Sequence, residues 1–520
     1  MESGARARRL SGLSSGKAGP APSVAGHSLF DSSNAALAER YDQVAYAALP
    51  HPGTHPDRLA TVATFLGMRP PSVAQCRVLE VGCNDGSNLI PMALALPSAQ
   101  FIGCDLSERA VEAGRRTIAE LGLSNIALVH EDLAQLAPSH GAFDYIIAHG
   151  VYSWVPPHVR DSLLALGGSR LTQHGVMFVS YNALPGCRIR QVAWDILRAH
   201  VEHLVDSRAR LDEARRLARI LGEGGKVWQE SDEAVRAEFR AIARRSDSVL
   251  YHDDLAVPNE PMYFRDFVAH AARFGLKYLA EADVHSMSAA GVSAEARAFL
   301  STLDPLTREQ YLDYVRLRRF RQSLLQRSDV TSEPLQLHPR RLESMHVAAD
   351  PSVARAAEAG KVDELARGLD PPDGLRVRVL LDMLIQRSPG SIPVPTLRER
   401  IPNLPRPLES ILTDAFVSGI VTLHVHPAAL ATVPGQKPTA SPFARLQARN
   451  HDEVTNLVHM RARLPDAPSR RMLTLLDGSR DRKALATAMN GPEFGHDHDK
   501  ARAFVDYTLE QFARLALLLA

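Results

Sequence analysis

The chain has 520 residues, 45% of them hydrophobic and 23% charged, with a formal net charge of +1. A single core stops growing near roughly 250–300 residues, so about two to four domains are expected. The balanced charge, with no long stretch of Lys and Arg interleaved with aromatics, argues against nucleic acid as a partner, and no run reaches the roughly 18–20 apolar residues of a membrane helix.

Residues 1–36, rich in Gly, Ala, Ser and Arg, lack the apolar centre of a signal peptide and read as a disordered tail. From residue 77, short apolar runs alternate with amphipathic stretches, the pattern of a parallel α/β sheet. Residues 77–81 predict a first strand, 82–86 a loop and 87–96 a helix. A second strand over 100–104 leads to a helix over 107–121, with Ser107 as its N-cap. Further strands are expected at 126–130, 143–148 and 176–181.

Residues 188–249 are helical and rich in Arg, Glu and Ala, which makes about 187–250 an insertion. The sheet resumes with a helix over 262–274, ended by Gly275, and a sixth strand over 276–280. Residues 319–326 fit either a seventh, antiparallel strand or an extension of the helix before them. A catalytic domain over 37–330 results. Beyond a linker at 332–335, a middle domain over 331–440 reads as winged-helix-like, with helices at 374–386 and 407–419 and a strand at 420–425. A C-terminal domain over 441–520 is helical or winged-helix-like, around 473–485 and a closing helix at 501–519. The expected fold class is α/β: a Rossmann-like sheet with a helical insertion, followed by small α/β winged-helix-like modules. Cys76, Cys83, Cys104 and Cys187 form no CxxC pair, and buried free thiols in a reducing cytoplasm fit best.

The segment Val78-Leu79-Glu80-Val81-Gly82-Cys83-Asn84-Asp85-Gly86 runs a strand into a turn and a helix, where open α/β sheets bind cofactors. Its GxxxG spacing lacks the middle glycine that makes room for a pyrophosphate. Glu80 would repel a pyrophosphate but suits a cationic amino acid and a sulfonium. Cys83, Asn84 and Asp85 lie in the turn beside the ligand. Asp105 ends the second strand, 23 residues after Gly82, where a carboxylate can accept both ribose hydroxyls; Leu106 follows it. After the third strand, Asp132 can accept from an adenine amino group while Leu133 packs on the ring.

These residues resemble class I S-adenosylmethionine-dependent methyltransferases, with their E/DxGxGxG turn and acidic residues after the second and third strands. Glu80, Gly82, Gly86, Asp105 and Asp132 match; Asn84 stands where the family usually has Gly, and Asn tolerates the left-handed geometry required. A narrower resemblance covers nearly the whole chain. Tyr41-Asp42, Thr54-His55-Pro56-Asp57-Arg58-Leu59, His149-Gly150-Val151-Tyr152-Ser153-Trp154-Val155-Pro156 and Tyr181-Asn182-Ala183-Leu184-Pro185-Gly186 are similar to methyltransferases with a regulatory domain. Pro261-Met262-Tyr263-Phe264 and His270-Ala271-Ala272-Arg273-Phe274-Gly275-Leu276 fit the same group. That group includes bacterial protein-lysine methyltransferases that modify outer-membrane proteins. The resemblance implies S-adenosylmethionine as cofactor, a lysine side chain as acceptor, homodimerisation, and C-terminal domains that help hold a protein or peptide substrate.

Methyl transfer from a sulfonium is an in-line displacement, so positioning and exclusion of water, together roughly 7–11 kcal/mol, are the main tasks. A lysine of pKa ~10.4 must also lose its proton, at about 4–5 kcal/mol near neutrality unless burial lowers that value. Residues after the fourth and fifth strands lie beside the methyl group in such folds, which makes His149, Tyr152, Trp154, Tyr181 and Asn182 the substrate-side candidates. His149 also counts among the cofactor contacts and can accept a proton. Equally, Tyr152 and Trp154 could cap the sheet edge and His149 bond to backbone. Tyr41, Tyr46 and His55 fit a lid over the cofactor or a docking segment. His252, Asp253, Asp254, Asn259 and Glu260 read as a solvated loop, with the acceptor-facing alternative open. His496-Asp497-His498-Asp499 reads as an exposed polar loop rather than a metal site. Arg316, Arg318, Arg319 and Arg321 read as a solvated helix face. A protein-directed methyltransferase leads; a small-metabolite methyltransferase and a non-catalytic interaction protein on the same fold are the alternatives.

Overall fold

The computed structural model describes residues 43, 44, 46, 49–225, 229–330, 339–364, 374–402, 404 and 406–520. The expected tail at 1–36, Tyr41 and the linker at 332–335 lie outside the described residues. Seven strands form one sheet: β1 (Arg77–Val81), β2 (Gln100–Asp105), β3 (Ile126–His130), β4 (Phe143–Ala148), β5 (Leu171–Asn182), β6 (Leu276–Glu281) and β7 (Phe320–Arg327). Their order is β3-β2-β1-β4-β5-β7-β6. β1 pairs in parallel with both β2 and β4, so the order reverses beside it, and the loop after β1 opens into the crevice where such sheets bind ligands. β7 lies antiparallel between β5 and β6, which settles residues 319–326 as a strand.

Alternate residues of the strands enter different cores. Val78, Tyr145, Ile147 and Phe178 face one cluster, whereas Leu79, Ile146, Met177 and Val179 face the other. With both faces covered, these strands need near-continuous apolar runs, which is how β1 and β4 read. The second cluster is closed by the helices Pro157–Arg170 and Phe264–Ala272. The first is closed by helix Pro56–Phe65 and by residues 342–443. One buried cluster therefore crosses the position 330 boundary. Phe65 meets Phe416 edge-on at 5.1 Å, and Asp57 holds His424 at 2.8 Å.

Beyond residue 338, β8 (His346–Ala349), β9 (Ile392–Pro393) and β10 (Val421–His424) form a small sheet with helices Gly374–Arg387, Val394–Arg400 and Leu408–Val417. A hairpin of β11 (Glu453–Thr455) and β12 (Arg461–Arg463) joins helices Ala467–Leu475, Arg482–Met489 and His498–Arg514 around a separate core. Asp497 caps the last of these by accepting from Asp499 and Lys500, so the expected polar loop is partly a helix start. The insert packs helices Arg188–Val201, Ser207–Glu223 and Glu230–Ala243 on one another.

Two expectations are corrected. Arg321 is not on a solvated helix: in β7, between two neighbouring strands, its side chain is fully buried. It bonds Asp313 at 2.9 Å, Glu281 at 2.6 Å and Glu309 at 3.2 Å. Most of the loop His252–Glu260 is not solvated either: His252, Asp254 and Asn259 are buried, whereas Glu260 is exposed and pairs with Arg160 at 2.8 Å. Asp254 accepts from Trp194 Nε1 at 2.8 Å and pairs with Arg190 and Arg245. Burial is tolerated because these polar groups find charged or hydrogen-bonding partners.

Candidate active site

The turn after β1 carries three residues of positive φ: Gly82 at 72°, Asn84 at 52° and Gly86 at 74°. The left-handed Asn84 is what its tolerance of that region allows. A Cβ on Gly82 would lie 2.8 Å from Val151, so the turn can approach the β4 loop only without a side chain there. The turn borders a cavity of about 490 Å³ at the carboxyl ends of β1 to β4.

Asp105 sits on its rim. Its Oδ2 accepts from the backbone N–H of Asn84 at 2.8 Å and its Oδ1 from that of Ser107 at 2.9 Å. These two backbone donors orient the carboxylate on the cavity. Asp132 Oδ1 accepts from Ala134 at 2.9 Å, presenting Leu133 to the same cavity. Leu106, Cys83 and Asp85 also line it.

Glu80 lines the same cavity and is buried. Its Oε1 accepts from Asn88 Nδ2 at 2.6 Å, whereas Oε2 is buried with no hydrogen-bond partner. Burial, reinforced by Asp105 and Asp85, pushes its pKa up to about 8. An orphaned buried carboxyl oxygen is costly until a donor or cation meets it. The donor set therefore fits a nucleoside diol at Asp105 and a cationic amino acid at Glu80, which is what S-adenosylmethionine offers.

At the other end the His149 and His51 rings lie tilted by 37° with centroids 3.8 Å apart. Burial and its neighbour His51 press His149 down to about 3, and burial with Arg461 presses His51 down to about 4. Both rings are neutral near pH 7. His149 Nδ1 and Trp154 Nε1 are buried without hydrogen-bond partners, and both residues line the cavity. Phe320 of β7 meets the His149 ring edge-on at 6.1 Å. His252 and Asp253 complete this end; burial, then Asp254, raises the Asp253 pKa to about 6.

The structure thus brings Glu80, Gly82, Cys83, Asn84, Asp85, Asp105, Leu106, Asp132, Leu133, His149 and Trp154 together on one cavity. It places Tyr152, Tyr181 and Asn182 elsewhere. Residues Tyr152–Trp154 form a 3-10 turn that sends Tyr152 into the core, where its hydroxyl meets His270 Nδ1 at 2.6 Å. Tyr181 stacks on Phe267 at 4.2 Å, and Asn182 donates to Asn259 at 2.7 Å. Gly86 is also off the cavity; its φ of 74° and the 3.0 Å that would separate a Cβ from Leu128 make its glycine serve the turn and the packing. Of the lid candidates, Tyr46 lines the cavity and His55 lies against His459 at 5.4 Å. His51, Asn88, Val151 and Phe320 were not singled out from sequence; only Asn88, a polar residue just before an apolar helix, left a local sign.

Three family models match the chain: "Methyltransferase domain" over residues 78–175, "Predicted methyltransferase regulatory domain" over 246–327, and "PKMT, C-terminal winged helix domain" over 436–492. The uncharacterized protein RP789 of Rickettsia prowazekii is 34% identical over 56% of this chain and 53% of its own length. Protein RP028 of the same organism is 31% identical over 46% of this chain and 96% of its own. The chain spans about half the length of the first of these relatives. The solved structure of PKMT2 from Rickettsia typhi superposes with a TM-score of 0.78 at 24% identity, covering 91% of this chain and 100% of that one. A second structure of PKMT2, in complex with AdoHcy, gives 0.77 at the same identity and coverage. The likeness extends the shared fold from the sheet through the C-terminal modules. Among the described residues, no helix is long and apolar enough to cross a membrane.

Proposed function

Because the chain belongs to the class I methyltransferases that carry a methyltransferase regulatory domain, we propose that it binds S-adenosylmethionine in this cavity and methylates a protein side chain, a lysine amine. The observation that carries the reading is Glu80 Oε2, buried and unpaired, in the cavity that Asp105 and Asp132 also line. S-adenosylmethionine supplies a methyl group already activated on a sulfonium. Asp105 and Asp132 are placed to hold the nucleoside, and Glu80 to receive the cationic end. His149, His51 and Trp154 form a buried, uncharged aromatic wall that disfavours an ammonium and so favours the free amine an attack requires. Asp253, with a pKa near neutrality, stands at the insert end of the cavity, where it can take the proton an arriving lysine sheds.

A protein acceptor is supported by residues 331–520, much of which packs as modules beside the sheet, and by the likeness of 436–492 to a PKMT winged helix. An outer-membrane acceptor, homodimerisation and a cytoplasmic site of action belong to the same proposal and rest on the resemblance alone. Cell lysate incubated with the full chain and S-adenosylmethionine labelled in the methyl group tests it. Label on protein bands, released as methyllysine on acid hydrolysis, is expected. Label confined to small molecules would overturn the protein acceptor, and none at all the activity.

A further inference from the structure

Asn88 joins the cofactor wall to the C-terminal module. Its Oδ1 accepts from the backbone N–H of His51 at 2.8 Å, which fixes which way the amide faces. Nδ2 therefore points the other way, donating to Glu80 Oε1 at 2.6 Å and to Thr54 Oγ1 at 3.0 Å. His459 Nε2 lies 2.8 Å from the same Oδ1. Since that oxygen can only accept, the His459 ring must donate, as the neutral tautomer with its proton on Nε2.

His459 reaches this point on a braced turn. It lies between β11 and β12, it is 5% exposed, and its φ of 59° is in the left-handed region. A non-glycine residue held there costs about 1 kcal/mol or more and persists only where its surroundings enforce it. Asn456 enforces it: its side chain accepts from Val458 at 3.2 Å and Met460 at 2.8 Å and donates to the Leu515 carbonyl at 3.0 Å. Leu457 N–H is held by Ala516 at 2.9 Å. The turn is thus stiffened from the far end of the chain, and its tip places one imidazole N–H on Asn88.

We propose that His459 is a positioning residue of the cofactor site: docking of the C-terminal module adds a second donor to the Asn88 oxygen that His51 already holds, tightening Asn88 and, through it, the Glu80 carboxyl, so that cofactor affinity depends on a domain that does not line the cavity. The proposal rests on the reading of the cavity as an S-adenosylmethionine site. An apolar side chain of similar size at 459 would fill the space but leave the Asn88 oxygen with the His51 N–H as its remaining strong donor, while a glutamine could still supply the second.

The test uses the full-length chain and calorimetric titration with S-adenosylhomocysteine. Wild type should bind, His459→Gln should stay within about threefold, and His459→Leu should weaken binding by about tenfold, the loss of one buried hydrogen bond. Thermal unfolding of both variants should stay close to wild type. Absence of binding to wild type overturns the cofactor reading and the proposal together. Wild-type affinity in His459→Leu, or equal loss in both variants, overturns the proposal alone. Should His459→Leu not fold, 15N-histidine spectra of the wild-type chain decide, with His459→Gln assigning the peak: the His459 Nε2–H resonance moves on addition of S-adenosylhomocysteine if the relay exists, and stays put if it does not.

Discussion

The His51 and His149 rings lie tilted against each other at the cavity end with centroids 3.8 Å apart, where burial disfavours a proton on either. Their folded pKa values, about 4 and about 3, lie below the ordinary 6.5. Between those values the unfolded chain binds more protons than the folded one, so stability rises with pH there and is lost on acidification below about 6.5. Each ring contributes a loss of about 2 kcal/mol at pH 5 on this basis. His149→Asn should therefore shrink the fall in Tm between pH 7 and pH 5, followed by circular dichroism. An unchanged difference would show that His149 titrates normally.

Glu80 has the opposite sign. Its folded pKa of about 8 exceeds the ordinary 4.5, with burial as the chief cause. The folded state then holds the extra proton between those values, and stability falls as pH rises through that window. Glu80→Gln, which keeps the shape and removes the titration, should raise the stability of the ligand-free protein at pH 8, by roughly 1–3 kcal/mol. The same change should weaken S-adenosylhomocysteine. Calorimetry at pH 7 in buffers of different ionisation enthalpy should show proton release on binding to wild type and none for Glu80→Gln.

Asp105 is anchored by two backbone donors, so its removal costs more than its own contacts to a ligand. Asp105→Ala frees the Asn84 and Ser107 N–H groups and loosens the turn. A hydrogen bond to a charged group contributes about 1.5–3 kcal/mol, so cofactor affinity should drop by at least tenfold. Urea unfolding should show the fold intact, because Asp105 is on the rim and not in either core. Wild-type affinity in this variant would remove the diol from Asp105.

The legibility of the chain follows the range of the interactions. Asn84, Asp105 and Asp132 could be read because each role is set by a strand end and the few residues after it. Tyr152 and Tyr181 could not, because a 3-10 turn and an extension of β5 to Asn182 decide which side of the sheet they take. The polar loop at His252–Asn259 reads as solvated until Arg190, Arg245 and Trp194 are seen around Asp254. Asn88 and His459, 371 positions apart, carry no mutual signal in one sequence. The sheet and its carboxylates are local; the closure of the site is not.

Arg321 gives the sharpest stability expectation. Its guanidinium is enclosed by Asp313, Glu281 and Glu309 and lies 4.0 Å over the Phe264 ring, with no exposed surface. Such a group adds little net stability when intact, because desolvation offsets the Coulomb gain. Removing one partner is different, since Glu281 is then left buried without its counter-charge, and Asp313 and Glu309 must share Arg318, at 3.2 and 3.6 Å. Arg321→Leu should cost about 3–5 kcal/mol in urea unfolding at pH 7. The deficit should narrow at pH 5, as the stranded carboxylates take up protons. Arg321→Lys should fall between, because one ammonium cannot reproduce the planar fork that serves Asp313 through both Nε and Nη2. If Arg321→Leu unfolds as late as wild type, the cluster is solvated in solution, and the antiparallel strand that carries it is not packed between β5 and β6 as described.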